Sequence, residues 1–243
     1  MMRLIDYLVT RYGTDPEVTN LVNTTEIYIS PLSNPDGSFK TAGNDVMNST
    51  GNTATRANAN GRDLNRNYPD PLNGLHPDTY AYQPETLAFL AFEKTRNFVM
   101  AANFHGGVEV VNYPWDAYAS PNHLHPHDNY FKFISKNYAQ SCQTASNNNG
   151  YMDDVFAGQY PGTTNGSLWY TVSGGRQDYN NYYMHNKEVT IEISTTKFPA
   201  ASELPNFWNY NKQAFLDHIK QANYGVQGKV TDASGNPINA KVY

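Results

Sequence analysis

Apolar positions along this chain recur in two rhythms. Leu4, Ile5, Leu8 and Val9 follow the 3.6-residue period of a helix, and Asp15-Pro16 ahead of Val18, Leu21 and Val22 marks a turn into a second short helix. Thr25 to Ser30 alternates like a strand. Asn34-Pro35-Asp36-Gly37 then breaks the chain, and Ser38 to Ala59 is polar and aperiodic, as a long loop would be. Loops of that length are often functional. Pro84 to Asn97 returns to helical spacing through Leu87, Leu90 and Ala91, and Phe98 to Phe104 reads as a buried strand ending at His105-Gly106-Gly107. A helix near Asn129 to Ala139, a strand over Glu188 to Ser194 and a helix over Leu204 to Ala222 complete this part. Helices interspersed with single strands predict a three-layer α/β domain. From Gly225 the rhythm changes: Val226, Lys229-Val230, Ser234-Gly235-Asn236-Pro237 and Ile238 read as a strand, a turn and the start of another strand.

Composition narrows the class. The chain has 243 residues, 14% of them aromatic and 16% charged, enough for a sizeable core and unlike a disordered, solvating segment. A formal charge of -5 argues against a nucleic-acid partner, which calls for a dense basic face. The longest apolar runs, Leu87 to Phe92 and Phe98 to Phe104, are too short for a transmembrane segment. Cys142 has no partner for an internal disulfide and no neighbour that would make a reactive thiolate, so it reads as buried and inert. The first residues show neither a charged start followed by an apolar run nor a cleavage site, so they read as the middle of a helix rather than a signal peptide.

Three places could carry chemistry. Thr55 to Asp70 packs Arg56, Arg62 and Arg66 with four asparagines into one aperiodic stretch. A guanidinium fork beside a neutral amide suits a carboxylate, which points to Asn65 and Arg66. Solvated charges pairing with Asp63 and Asp70 are the alternative. His105 ends an apolar strand and precedes two glycines, a common setting for a ligand at the carboxyl end of a sheet strand, although a lone histidine is more often structural. Strand alternation puts Glu188, Thr190 and Glu192 on one face. Those acids either point inward, where they must be paired or catalytic, or lie on an exposed sheet face.

Taken together these pieces form a long, ordered pattern: Asn34-Pro35-Asp36-Gly37; Arg56 to Gly61 running into Asp63-Leu64-Asn65-Arg66-Asn67; His105-Gly106-Gly107 with Asn112-Tyr113-Pro114. Thr164-Asn165-Gly166, Trp169-Tyr170, Gly174-Gly175 with Gln177-Asp178-Tyr179-Asn180, Thr190-Ile191-Glu192 and Lys197-Phe198-Pro199 follow. The pattern resembles the zinc metallocarboxypeptidases, in the branch containing carboxypeptidases N, E and D, over nearly everything from Leu4 to Ala222.

The resemblance implies a mixed, eight-stranded-type twisted sheet with helices on both faces, incomplete at its N-terminus, in a catalytic domain over residues 1–223. It implies that residues 224–243 begin a transthyretin-like β domain. It also implies one Zn2+ ion and action on peptide or protein C-termini outside the cytoplasm, in a secreted, extracellular or periplasmic protein. His105 resembles the third zinc ligand, Glu192 the general base, and Arg56 the arginine that polarises the scissile carbonyl. Asn65 and Arg66 resemble the clamp on the terminal carboxylate, and Tyr170 the tyrosine that closes over the peptide. Gly166 belongs to the substrate-binding set, while Asp116 and Gln177 occupy the places that line a pocket for Arg or Lys.

The family's first two zinc ligands, an H-x-x-E pair, lie ahead of the helix at Arg3 to Tyr12 and are missing here. The only such string, His185-Asn186-Lys187-Glu188, stands far from that position. The expectation is therefore a fragment cut at both ends, with the missing pair encoded roughly five to fifteen residues before Met1, and with little activity of its own. Arg176 stands where the family usually has Met, and Thr195 where this branch often has Cys. The sequons at Asn23, Asn48 and Asn165 arise easily by chance in so Asn-rich a chain. A non-catalytic peptide-binding module and a deacylase-type amidohydrolase are the rival functions. The Arg56 to Asn67 segment and the tail argue against the second.

Overall fold

The computed structural model describes residues 1–39, 54–119, 122–157, 159–225 and 228–240. Most of the expected Ser38 to Ala59 loop, the Asn48 sequon and Val226 lie outside them.

Helices α1 (Met2–Arg11) and α2 (Pro16–Thr24) open the chain. The Asp15 carboxylate accepts from the Glu17 and Val18 N–H groups, and Pro16 takes the first helical position, so the Asp-Pro step is the start signal of α2. Leu4, Leu8, Val18 and Leu21 turn into the main core. Asn34-Pro35-Asp36-Gly37, expected as a simple break, instead starts a five-residue helix, α3 (Pro35–Phe39). Asn34 Oδ1 accepts the Gly37 N–H at 3.0 Å, because the residues that favour turns also cap helices. A single 3-10 turn at Leu64–Arg66 and helix α4 (Pro84–Glu93) follow.

Four strands are assigned among the described residues: β1 (Met100–His105), β2 (Glu109–Tyr113), β3 (Thr163–Asn165) and β4 (Lys187–Ile193). Their order is β1-β4-β2-β3, with β4 parallel to β1 and antiparallel to β2, and β3 parallel to β2. Thr25 to Ser30, expected as a strand, is assigned none. Its Ile27 and Ile29 pack against the core, so the alternation reports burial of one side without a ladder.

The sheet divides the molecule. Val111, Tyr113, Val189 and Ile191 face a core built with α5 (Asp128–Ala145) and α8 (Leu204–Lys220). In that core Tyr138 donates to Asn211, and Cys142 is buried with its thiol pKa pushed well up by desolvation, in line with an inert role. The opposite face carries Asn103, His105, Asn112, Glu188, Thr190 and Glu192, with α7 (Arg176–Tyr182) against it, since Gln177 and Asn180 bond to Thr190 and Glu188. A smaller cluster of Tyr68, Leu90 and Tyr179 joins α4 to α7. Helices thus flank both faces. A four-residue helix, α6 (Gly166–Trp169), follows β3 directly. In the tail, Thr231 and Pro237 form one antiparallel bridge around a turn that Asp232 caps by accepting from Ser234 and Asn236.

Candidate active site

The register of β1 against β4 pairs His105 with Glu192, and that of β2 against β4 pairs Asn112 with Thr190. Side chains directly opposite one another share a face, so the imidazole, the carboxylate and the amide project together near the carboxyl ends of β1 and β4. Just past β1 the chain turns at Gly107, whose φ of 145° and N–H bond to the Ser194 carbonyl draw the loop over the β4 end. A Cβ there would lie 3.3 Å from Glu192 Oε2, so a side chain at this position would crowd the carboxylate.

His105, Asn112, Thr190 and Glu192 line a cleft open to solvent, together with Arg56, Asn65, Asp116, Gly166, Trp169, Tyr170 and Val172. Burial holds the His105 pKa down to about 4, helped by the Arg56 charge, so the ring is neutral with a lone pair free to coordinate. Burial also raises the Glu192 pKa, opposed by Arg56. Arg56 Nε donates to Asp63 Oδ2 at 2.6 Å, and Asp63 Oδ1 accepts the Asn65 N–H, so one aspartate aims the arginine and starts the turn that presents Asn65. The Arg176 backbone N–H donates to Asn65 Oδ1, which leaves the Asn65 amide hydrogens for the cleft.

Not every expected partner reaches the cleft. Arg66 is not among its lining residues, and Arg66 Nη1 donates to the Asn65 carbonyl at 2.7 Å. Of the aspartates offered as alternative partners, Asp63 does pair with Arg56, while Asp70 instead accepts the Leu72, Asn73 and Gly174 N–H groups. Glu188 and Glu192 are both buried rather than on an exposed face. Glu188 is paired with Arg176, Asn103 and Asn180, which also removes it from the His185 to Glu188 string as a ligand.

Asp116 sits at the buried end of the cleft. Its Oδ1 accepts from Asn112 Nδ2 at 2.9 Å, and its backbone N–H and that of Ala117 donate to Asp178. Burial raises the pKa of both acids. Gln177, expected beside Asp116 in the pocket, is buried and is not among the cleft's lining residues; its Oε1 accepts the Thr190 N–H at 2.8 Å. Tyr170 is about half exposed at the end of α6, its ring against Trp169. Sequence reasoning gave no role to Asn112, Thr190 or Val172. For Asn112 and Thr190 the usable signal was strand alternation, which sets both on the face of Glu192.

A sequence profile for zinc carboxypeptidases matches residues 1–214. The chain belongs to the zinc carboxypeptidase family. It is 41% identical over 238 residues to carboxypeptidase D of Anas platyrhynchos, covering 96% of this chain and 17% of that protein. It is 39% identical over 247 residues to carboxypeptidase M of Mus musculus, covering 98% of this chain and 53% of the relative. The chain therefore spans about half, or less, of the length of these relatives. Bovine thrombin-activatable fibrinolysis inhibitor, solved in complex with tick carboxypeptidase inhibitor, shares the fold with a TM-score of 0.65 at 17% identity, over 90% of this chain and 76% of that one.

The residues present fit a zinc ion only in part. His105 offers a neutral ring nitrogen, but the described residues contain no group of three or more His, Cys, Asp or Glu able to hold a metal. A catalytic zinc ordinarily has three protein ligands.

Proposed function

We propose that the cleft receives the C-terminal residue of a peptide or protein, and that the surrounding side chains serve hydrolysis of the last peptide bond, with Arg or Lys preferred at the terminus. The observation that carries this reading is the meeting of Arg56, Asn65, His105, Asp116, Tyr170 and Glu192, from segments far apart in the chain, on one cleft.

The roles follow from placement. The Asn65 amide donates to the terminal carboxylate, with Arg66 joining once it leaves the Asn65 carbonyl. Arg56, oriented by Asp63, stands where positive charge would stabilise an oxyanion. Glu192, its basicity raised by burial, takes the proton of the attacking water. Tyr170 is exposed enough to swing over a bound peptide, Gly166 leaves room for its side chain, and Asp116 offers that side chain a negative charge. Zinc, when bound, supplies a Lewis-acid centre that brings the pKa of its water toward about 7.

We further infer that the chain as it stands contributes one ligand of the set, His105, and has little peptidase activity by itself. A non-catalytic peptide-binding module is the second reading, favoured by that single ligand. Glu192 in the cleft weighs against it, since a binder needs the carboxylate clamp but no base. Assignment of residues 224–243 to the start of a transthyretin-like β domain is supported by the Thr231–Pro237 bridge, and a secreted location rests on the resemblance alone.

The test is saturable binding of matched N-acyl dipeptides ending in Arg, Lys, Leu or Phe, by calorimetry. The Arg and Lys ligands should bind at least about tenfold more tightly, an advantage lost in Asp116→Ala. Equal affinity for all four would sink the reading. In any preparation that turns over, Glu192→Gln should keep peptide affinity and lose most of the rate.

A further inference from the structure

Four Asn-Gly steps lie along the chain, at Asn60, Asn73, Asn149 and Asn165. Such a step is chemically weak, because a glycine without Cβ lets its backbone nitrogen reach the amide carbon of the preceding side chain. Three of the four are held by the fold. The Gly61 N–H donates to the Asn58 carbonyl at 3.0 Å, and Asn60 Nδ2 donates to Gln83 Oε1 at 2.9 Å. The Gly74 N–H donates to the Asp70 carbonyl at 3.0 Å, and Asn73 Nδ2 donates to Asp70 Oδ1 and Ser173 Oγ. Asn165 is buried, its Nδ2 donating to the Pro114 carbonyl and its Oδ1 accepting from Ser167 Oγ. At the fourth step Asn149 and Gly150 are both exposed, in the bend that joins α5 to Tyr151. Among the described residues the Gly150 N–H donates to no acceptor, and Asn149 Nδ2 reaches only Tyr210 Oη, at 3.5 Å, the outer limit of a hydrogen bond. The bend runs through left-handed backbone, with φ of 58° at Asn147, 53° at Asn148 and 84° at Gly150, so no ladder holds the Gly150 nitrogen.

We propose that Asn149 is a site of covalent self-modification, at which asparagine becomes aspartate and isoaspartate through a cyclic imide. The Gly150 nitrogen gives its proton to solvent base and bonds to Asn149 Cγ; the Cγ–Nδ2 bond breaks, and Nδ2 leaves as ammonia. Water then opens the imide, and nothing is oxidised or reduced. Breaking the new Cγ–N bond gives aspartate. Breaking the bond from that nitrogen to the Asn149 backbone carbonyl gives isoaspartate, whose main chain runs through Cβ. Either product adds a negative charge at neutral pH. Isoaspartate also lengthens the main chain by one atom between two buried points, Ser146 and Tyr151, the latter anchored by its hydroxyl on the Ile193 carbonyl at 3.0 Å. The reaction uses neither the cleft nor a metal, so it stands apart from the hydrolysis proposed above.

The experiment incubates the intact chain at about pH 8 and follows the peptide around each Asn-Gly step by mass spectrometry, where conversion reads as a gain of one mass unit and two chromatographic forms. In the folded chain Asn149 should convert at least about tenfold faster than Asn60, Asn73 or Asn165, because those steps must first open their hydrogen bonds. In urea all four are released, and their rates should come within about threefold of one another. Asn149→Gln keeps the amide but closes the larger ring far more slowly, so the folded variant should lose most of the ammonia release of wild type. If any of the other three steps keeps pace with Asn149 in the folded chain, the assignment is overturned. The same holds if Asn149 reacts in urea but not in the fold, or if Asn149→Gln releases ammonia as fast as wild type.

Discussion

At Arg176 a cation facing the cleft would repel a basic substrate or neutralise Asp116. Its guanidinium turns away, between Glu93 and Glu188 and over the Phe89 ring at 4.5 Å. Two carboxylates share one cation there, and burial pushes Glu188 up to about 7 and raises Glu93 as well. Acids whose folded pKa exceeds the unfolded value stabilise the fold fully below about 4.5, and that contribution is lost as pH rises toward 7. Removing the cation steepens the loss. Arg176→Met should cost about 3 kcal/mol at pH 8 and markedly less at pH 5, read from urea melts at both. Equal losses at the two pH values would show that the guanidinium acts through packing and not charge. At Gly166, Ala should weaken binding of basic peptides at least about tenfold with only a small change in melting temperature, because the new methyl must displace Asp116. The candidate roles of His105, Glu192 and Asp116 were legible as motif positions. The distinction between Gln177 and Asn112 was not, since both are amides beside Asp116 in pattern, and only three-dimensional placement shows that a backbone N–H has claimed one oxygen and none has claimed the other.

At the scale of elements, helices α1, α2, α5 and α8 were readable from local signals, apolar periodicity in α1 and α8 and Asp, Asn or Pro near the starts of α2, α5 and α8. For α4 the start at Pro84 was readable but the buried face was not: Leu90 is buried while Leu87 and Ala91 are exposed. Strands β2 and β3 were not. β3 has three residues, too few to alternate, and β2 is buried on both faces, so neither shows a period-two pattern. The connection from β2 to α5 carries a further local signal, His123-Leu124-His125-Pro126-His127. His125 lies between Trp115 and Phe131, with ring centroids 4.7 and 4.9 Å away, and its Nδ1 accepts the His127 N–H at 2.9 Å. That bond requires an unprotonated nitrogen. Burial lowers the pKa to about 4, with Lys187 and His127 adding to the effect. Between about pH 6.5 and 4 the unfolded chain binds a proton that the folded chain refuses, so stability from this group is present at neutral pH and lost as pH falls through that window, by up to about 3 kcal/mol. Denaturant midpoints at pH 7 and 5 should therefore converge in His125→Gln relative to wild type. A variant as acid-sensitive as wild type would place the effect elsewhere.

Across the whole molecule the α/β class was legible and the strand order was not, because β1-β4-β2-β3 depends on pairings between segments far apart in the chain, and periodicity carries no information about partners. What the sheet achieves is a separation: one face closes the apolar core with α5 and α8, and the other keeps acids, amides and His105 in a partly desolvated layer beneath α7. The core draws on α1, α2, α5, α8 and the sheet, so its stability does not pass through the cleft. Folding and metal binding should then be nearly uncoupled in this chain. A ligand that binds only the folded state raises stability by RT ln(1 + [L]/Kd), which is large only when the metal is far above its dissociation constant. If His105 is the one zinc ligand this chain supplies, as proposed above, zinc at about 50 μM should move the melting temperature by less than about 1 °C, and a chelator should move it equally little. His105→Ala should melt alike with and without zinc. A zinc-dependent rise of about 5 °C or more in wild type that vanishes in His105→Ala would show instead that His105 belongs to a complete site, and the inference that this chain holds one ligand of the set would have to be abandoned.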